Sequence, residues 1–363
     1  MSDRPLVMLH GWNDEGRSFE RLVGHLRKRL GPERIQRIAI GDYLSKDDCL
    51  RFDDLQAALD RAWTRHDLPR EPASVDVIVH STGYGGIRAV ANEEGGDGTV
   101  RLSTANLNCA RVRIAFREEA RGEGRVTVPE MWDYRPSSGR CAFRILDGID
   151  HSAIKLDAAE SRLSRAQRDT LTLIERALTV EDAGFIDFCD ECEAENRRLT
   201  RGPGERRGKP GFQNTVVRVR DQFDVPVEDY LIEFYDSRDD RRDGGGLARA
   251  IHEEAIRKVH NYRADASLRS LYIDTARLCD AVARAGTQLG MSITAEPMLE
   301  EDEQDARHTP VGFRTLADED IDDLRLDDAQ LAEFFQPHRT LLVDICVHRS
   351  QADNVFRLNE SRG

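Results

Sequence analysis

The chain has no run of eighteen apolar residues, the length a helix needs to cross a bilayer, so no membrane span is expected. Its opening residues, MSDRPLVMLHGW, lack the basic segment and following apolar stretch of a secretory signal, and a cytoplasmic location is the expectation. Basic charge is in short supply: 53 Lys and Arg stand against 67 Asp and Glu, a net charge of -14. Binding to nucleic acid sets Lys and Arg against phosphate, so no nucleic-acid partner is expected. Cysteine is sparse and unpatterned. Cys49, Cys109, Cys141, Cys189, Cys192, Cys279 and Cys346 are odd in number, which reads as reduced thiols rather than a disulfide framework. One CxxC, Cys189 and Cys192 in FIDFCDECEAEN, has no second CxxC or His pair to complete a zinc site, so it reads as a thiol pair on a helix. The acidic stretches MLEEDEQDARHTP and ADEDIDDLRLDD lack the spacing of a calcium loop and read as solvated loops.

What is present is a soluble composition long enough for two domains: 363 residues, 39% apolar and 33% charged. The first half alternates strand and helix. RPLVMLHGW, RIQRIAIGDY and SVDVIVHSTG are short apolar runs. Between them GRSFERLVGHLRKRLG and LRFDDLQAALDRAWTRHDL space their apolar residues as helices do. This is the pattern of a parallel sheet covered by helices on both faces. CARVRIAF (109–116) and CAFRILDG (141–148) read as further strands, and residues 160–181 as a helix. Residues 196–211, rich in Gly, Pro and Arg, read as a linker. Beyond it NTVVRVRD, EDYLIEFYD, SLRSLYID, MSITAEP and RTLLVDICVH follow one another without long helical patterns, which predicts an antiparallel β-sandwich. The expected division is therefore 1–195, linker 196–211, and 212–363.

Three short motifs carry chemistry. The strand SVDVIVHSTG ends in His80-Ser81-Thr82-Gly83, a serine on a strand-to-helix turn, where small neighbours permit a tight backbone and thrust the hydroxyl out above the sheet. The pattern G-x-S-x-G is met only at Gly83; Val79 takes the place of its first glycine. LHGW (9–12) ends an earlier strand just before a helix. A serine that attacks an acyl group needs N–H donors for the developing oxyanion, and the amides of Trp12 and Thr82 suit those two positions. GGDGTV (95–100) holds Asp97 in a glycine-rich turn, and RILDGIDHSAI (144–154) places His151 just past a strand end. An imidazole to take the serine proton and a carboxylate to orient it complete the machine. Asp147 and Asp150 are rival orienting acids; His10 suits a bracing role in the oxyanion loop, and His80 packing at the sheet edge.

Over about residues 4–180 these motifs, in this order, resemble the bacterial lipase and esterase branch of the α/β-hydrolase superfamily. The resemblance implies an α/β-hydrolase parallel sheet with flanking helices; the β-sandwich-like C-terminal domain is expected from the strand pattern beyond residue 212. It implies Ser81 as nucleophile, Asp97 as acid, His151 as base, and Trp12 and Thr82 as oxyanion donors. The function so implied is hydrolysis of a carboxylic ester, with lipases and phospholipases as subclasses, through an acyl-enzyme and with no metal or organic cofactor. The substrate would be a small ester or a lipid. The same triad serves acyltransferases and thioesterases, and the fold also serves in catalytically silent binding proteins. Appended sandwiches on lipases often touch lipid surfaces, so peripheral membrane contact fits the C-terminal domain, as does a homodimer.

The spacing is anomalous. In the family a helix, a strand and a lid or cap separate serine from acid, which takes roughly forty residues at typical element lengths. Here only residues 82–96, TGYGGIRAVANEEGG, intervene. The reading therefore expects that a lid or cap segment is lacking between Gly83 and Tyr84, whether unseen or lost.

Overall fold

The structure, a computed structural model, describes residues 20–32, 64–65, 75–92, 94–121, 124–137, 141–236, 246–295 and 324–348. In chain order the main elements are α1 (Glu20–Leu30), β1 (Val75–His80), β2 (Ala110–Arg121), β3 (Gly124–Arg135), β4 (Cys141–Leu146), α2 (Arg165–Thr179), α3 (Phe185–Leu199), β5 (Phe212–Asp221), β6 (Tyr230–Asp236), β7 (Ile256–Asn261), β8 (Leu268–Asp274), α4 (Thr275–Ala285), β9 (Leu289–Ala295), β10 (Leu324–Leu326), α5 (Asp328–Phe334) and β11 (Thr340–Val347). They fall into two compact units, residues 1–105 with 139–199, and residues 106–138 with 200–363. The strands expected at 4–12 and 34–43 and the helix expected at 50–68 lie outside the described residues, apart from two helical residues at 64–65.

In the first unit β1 and β4 pair in parallel, from Val75 opposite Cys141 to His80 opposite Leu146. Val79, Phe143 and Ile145 are buried there, as near-continuous apolar strands of a parallel sheet require. Helix α1 buries Leu22, Val23 and Leu26 against Leu156, Leu163 and Leu171. Ser164 starts α2: its hydroxyl accepts from the Gln167 amide while the Gln167 side chain accepts from the Ser164 amide, a reciprocal cap. Helix α3 buries Phe185, Phe188, Cys189 and Cys192 on one stripe, packed with Ala142 and Ala177. The CxxC cysteines are thus core residues; burial pushes the Cys192 thiol up to about 11. Among the described residues no group of His, Cys, Asp or Glu could hold a metal ion. One polar residue joins α3 to the sheet. Asn196 accepts from the Ile145 amide at 2.8 Å and donates to the Phe143 carbonyl at 2.7 Å, so its side-chain amide stands in for a neighbouring strand along β4.

The second unit holds a six-stranded sheet in the order β3-β2-β11-β5-β8-β7 and a three-stranded antiparallel sheet in the order β10-β9-β6. The two share one apolar core, with Val112, Ile114, Val217, Val343 and Ile345 from the larger sheet and Leu289, Ile293 and Leu326 from the smaller. Two expectations are corrected here. The larger sheet is mixed rather than antiparallel, because β11 runs parallel to both β2 and β5. The strand at 109–116 does not continue the first unit's sheet: β2 and β3 form a hairpin that joins β11, more than two hundred residues further along. Short-range patterning cannot show such a pairing. The stretch at 196–211, expected as a linker, carries some structure of its own. Helix α3 runs through Leu199, the Arg201 amide donates to Lys209 O at 2.7 Å, and Arg201 pairs with Asp274 at 2.8 Å. The acidic stretches up to residue 323 lie outside the described residues, as does Cys49.

Candidate active site

The candidate residues hang from the C-terminal ends of β1 and β4. Ser81 follows β1 directly, and its amide donates to Leu146 O at 2.9 Å, extending the ladder by one step. Its hydroxyl donates to the same carbonyl at 3.2 Å and to Asp147 Oδ1 at 3.4 Å. Thr82 ties the two strand ends more firmly: its hydroxyl donates to Asp147 Oδ1 at 2.7 Å and accepts from the Gly148 amide at 3.0 Å.

Past β4 the chain turns at Gly148, whose φ of 96° is open to glycine, and enters a short 3-10 helix, His151–Lys155. Asp150 caps that turn, accepting from the amides of Ser152 and Ala153. The cap leaves Asp150 facing its own turn and delivers His151 to Asp97. His151 Nδ1 lies 2.7 Å from Asp97 Oδ2, and the His151 amide donates to Asp97 O at 3.2 Å. The other carboxylate oxygen, Oδ1, accepts from the amides of Thr99 at 3.0 Å and Val100 at 2.7 Å. Burial works against the Asp97 charge, but the bonds from His151, Val100 and Thr99 outweigh it and hold the carboxyl below its ordinary range. The same bond from Asp97 raises the His151 ring above its usual value, against partial burial.

The short distance in sequence between Ser81 and Asp97 has a local explanation. Between Ser81 and Asn92 the chain folds back on itself. Asn92 closes the loop at its base: its Oδ1 accepts from the Tyr84 amide and its Nδ2 donates to Tyr84 O, both at 2.8 Å. Tyr84 then braces the acid turn, its hydroxyl 2.7 Å from Thr99 Oγ1 and its ring packed on Gly98. A Cβ at Gly98 would come within 2.5 Å of that ring, and Gly98 has φ of 97°, so only glycine fits. Between Tyr84 and Asn92 lies only a 3-10 helix, Gly86–Ala91. The long crossover needed by two parallel strands runs over residues 81–140, between β1 and its partner β4, and Asp97 lies within it.

His80, at the end of β1, is fully buried, and neither ring nitrogen has a hydrogen-bond partner among the described residues. Burial pushes its pKa down to about 4, with Asp97 opposing. The structure thus joins Asp97 to His151 and sets Ser81 and Thr82 against the end of β4. The rival acids are occupied differently, Asp147 by Ser81 and Thr82, Asp150 by its own turn. Trp12 and His10 lie outside the described residues. Tyr84 and Asn92 belong to no motif in the sequence; the glycine after Asp97 is the one local feature that agrees with the close approach of Tyr84.

No family model matches the chain, and no curated protein does. Solved structures do. Phospholipase PlaB from Legionella pneumophila in complex with thio-NAD superposes with a TM-score of 0.59 at 14% identity, over 84% of this chain and 65% of that one. Phospholipase PlaB from Legionella pneumophila without that description gives 0.58 at 15% identity, over 84% of this chain and 64% of that one. The chain spans just under two thirds of the length of these structures. The likeness is one of fold: a mixed α/β architecture shared with a lipase-type hydrolase.

Proposed function

We propose that the chain is a serine hydrolase of carboxylic esters, lipid esters among them, of the α/β-hydrolase kind. The observation that carries the reading is the Asp97–His151 pair just past the end of β4, the strand whose last residue also accepts from the serine that follows β1. Along the chain the three stand in the order serine, acid, histidine that this kind of fold uses, which supports the reading. The fold shared with a phospholipase supports the same class.

On this reading Ser81 Oγ attacks the ester carbonyl. Its hydroxyl exchanges the bond to Leu146 for one to His151 Nε2, which takes the proton; catalytic contacts of this sort tighten when substrate is bound. Asp97 fixes the tautomer through Nδ1 and stabilises the imidazolium. The Thr82 and Trp12 amides receive the oxyanion. His151 passes the proton to the leaving alcohol, an acyl-Ser81 ester remains, and water activated by the same imidazole releases the acid. Thr82 has a second role, since its side chain anchors the turn from which its amide would act.

A fluorophosphonate probe and a chain-length series of p-nitrophenyl esters test the reading together. Labelling at Ser81, with ester turnover lost in Ser81→Ala by about 10³-fold or more, is expected. Equal rates in the two proteins would remove Ser81 from the chemistry. Labelling without turnover in water, but with turnover to an added alcohol or thiol acceptor, would reassign the triad to acyl transfer.

A further inference from the structure

The larger sheet of the second unit buries one face and leaves the other exposed where its parallel strands meet. β11 runs parallel to β2 on one side and to β5 on the other, and parallel strands ordinarily lie between two covered faces. Val112, Ile114, Val217, Val219, Val343 and Ile345 point into the core, so the residues that alternate with them point outward. Along the stretch where the three strands pair, the outward charges are Arg111, Arg113, Arg218 and Arg220 against a single acid, Asp344. Asp344 stands opposite both Arg113 and Arg218; it pairs with Arg218 at 2.6 Å and with Arg111. Arg113 is exposed and has no ion-pair partner among the described residues. Leu342, opposite Arg111 on one side and Val216 on the other, is 41% exposed. A basic and partly apolar face on parallel strands, in a chain of net charge -14, lacks the layer that such strands carry.

Helix α3 of the first unit presents the converse. Opposite its buried stripe, Ile186 is 43% exposed, and Asp187, Asp190, Glu191 and Glu193 are exposed with it. Glu191 is paired with Arg176, whereas neither Asp187 nor Asp190 has an ion-pair partner among the described residues. We propose that the basic sheet face of one copy of the chain is covered by α3 of a second copy. A helix is the element that ordinarily covers parallel strands, so the second copy supplies the layer the first one lacks. Its unpaired carboxylates meet the arginines, Arg113 first among them, and Ile186 meets Leu342 and Val216. The apolar residues at the middle of the face favour a protein partner over a phosphate polymer, and arginine is enriched in protein interfaces. Each copy carries both halves, so the contact is reciprocal in a two-fold dimer or repeated around a ring. The contact is independent of the chemistry at Ser81.

Analytical ultracentrifugation of the full chain tests the contact. Wild type is expected to assemble with rising concentration, and the assembly to loosen as NaCl is raised from about 0.05 M to about 0.5 M. Arg113→Glu on the sheet face and Asp187→Arg/Asp190→Arg on α3 are each expected to raise the dissociation constant about tenfold or more. Leu342→Ser, which leaves every charge in place, is expected to weaken assembly as well. All four side chains are exposed, so thermal midpoints are expected to match that of wild type. The decisive arm is a mixture. Arg113→Glu keeps its α3 and Asp187→Arg/Asp190→Arg keeps its sheet face, so an equimolar mixture is expected to form a dimer that neither variant forms alone. A wild type that stays monomeric, either charge variant assembling as wild type does, or a mixture no better than its components would overturn the proposal. A monomeric chain that binds a single-stranded oligonucleotide or anionic vesicles, and loses that binding in Arg113→Glu, would give the face to phosphate and overturn it likewise.

Discussion

Asp97 holds His151 at two points: its carboxylate reaches the ring Nδ1 at 2.7 Å, and its backbone carbonyl accepts the His151 amide at 3.2 Å. The second contact sets where the histidine sits and the first sets which nitrogen is free. Asp97→Asn should leave the backbone contact and abolish the charge. A loss in kcat of about 10³–10⁴-fold is expected for the wrong tautomer. The pH profile adds a sign. Asp97 raises the His151 pKa above its usual 6.5, and the base works only when neutral, so wild-type activity should fall as pH drops through that raised value. In Asp97→Asn the residual activity should carry its acid limb at lower pH, and a limb that stays in place would dissociate Asp97 from the base.

Thr82 and Asp147 make the second connection at the site. Thr82→Val removes the bonds to Asp147 and to the Gly148 amide, leaving the serine turn tied to the end of β4 only through Ser81. The expected cost is about 1 kcal/mol of stability and about tenfold in kcat, with KM for a short ester little changed. Thr82→Ser should restore both. Rescue of stability without rescue of kcat would mean that the hydroxyl does not position the nucleophile.

Ser81, Asp97 and His151 stand out as candidates in the sequence because each sits in a short signature: a serine after an apolar strand, an aspartate among glycines, a histidine past a strand end; of these the structure pairs Asp97 with His151. Helices α1 and α2 were legible from apolar spacing alone, and β1, β4, β5, β6, β8, β9 and β11 from apolar runs bounded by turns. The failures have one cause. Which strand pairs with which depends on contacts remote in sequence: β2 carries the same apolar pattern as β4 yet joins β11 through Val112 opposite Val343. Likewise no local pattern marks Asn92 as the residue that clips the loop at Tyr84. Between serine and acid the described residues hold only the 3-10 helix Gly86–Ala91, and the connection from β1 to its partner β4 runs over residues 81–140 with Asp97 inside it.

Asn196 tests how the strand that delivers His151 is held. Its side chain satisfies Ile145 N and Phe143 O, two backbone groups that would otherwise be buried without partners. Asn196→Leu keeps the volume and removes both bonds. The first unit is expected to lose roughly 2–4 kcal/mol, read as a lower urea midpoint with an unchanged slope. A change below about 0.5 kcal/mol would show that water or a rearranged α3 meets those groups instead.

His80 gives the fold a pH dependence separate from that of the chemistry. Its pKa lies near 4 in the folded chain because it is buried, against 6.5 for an ordinary histidine. Between those values the unfolded chain binds the additional proton, so stability falls as pH is lowered from about 6.5 towards 4 and is fully present above that window. The full effect is roughly 3 kcal/mol by the linkage between pKa and free energy. His338 in the second unit, likewise buried and lowered to about 4, should act there in the same direction. His80→Phe removes the titrating ring from the first unit while keeping an aromatic of similar girth beneath the serine turn. Urea midpoints at pH 7.5 and pH 5 should then differ less in the variant than in wild type for the transition that exposes the first unit. An equal difference in both proteins would place the proton uptake elsewhere, and a larger one would mean that the imidazole already holds its proton in the folded state.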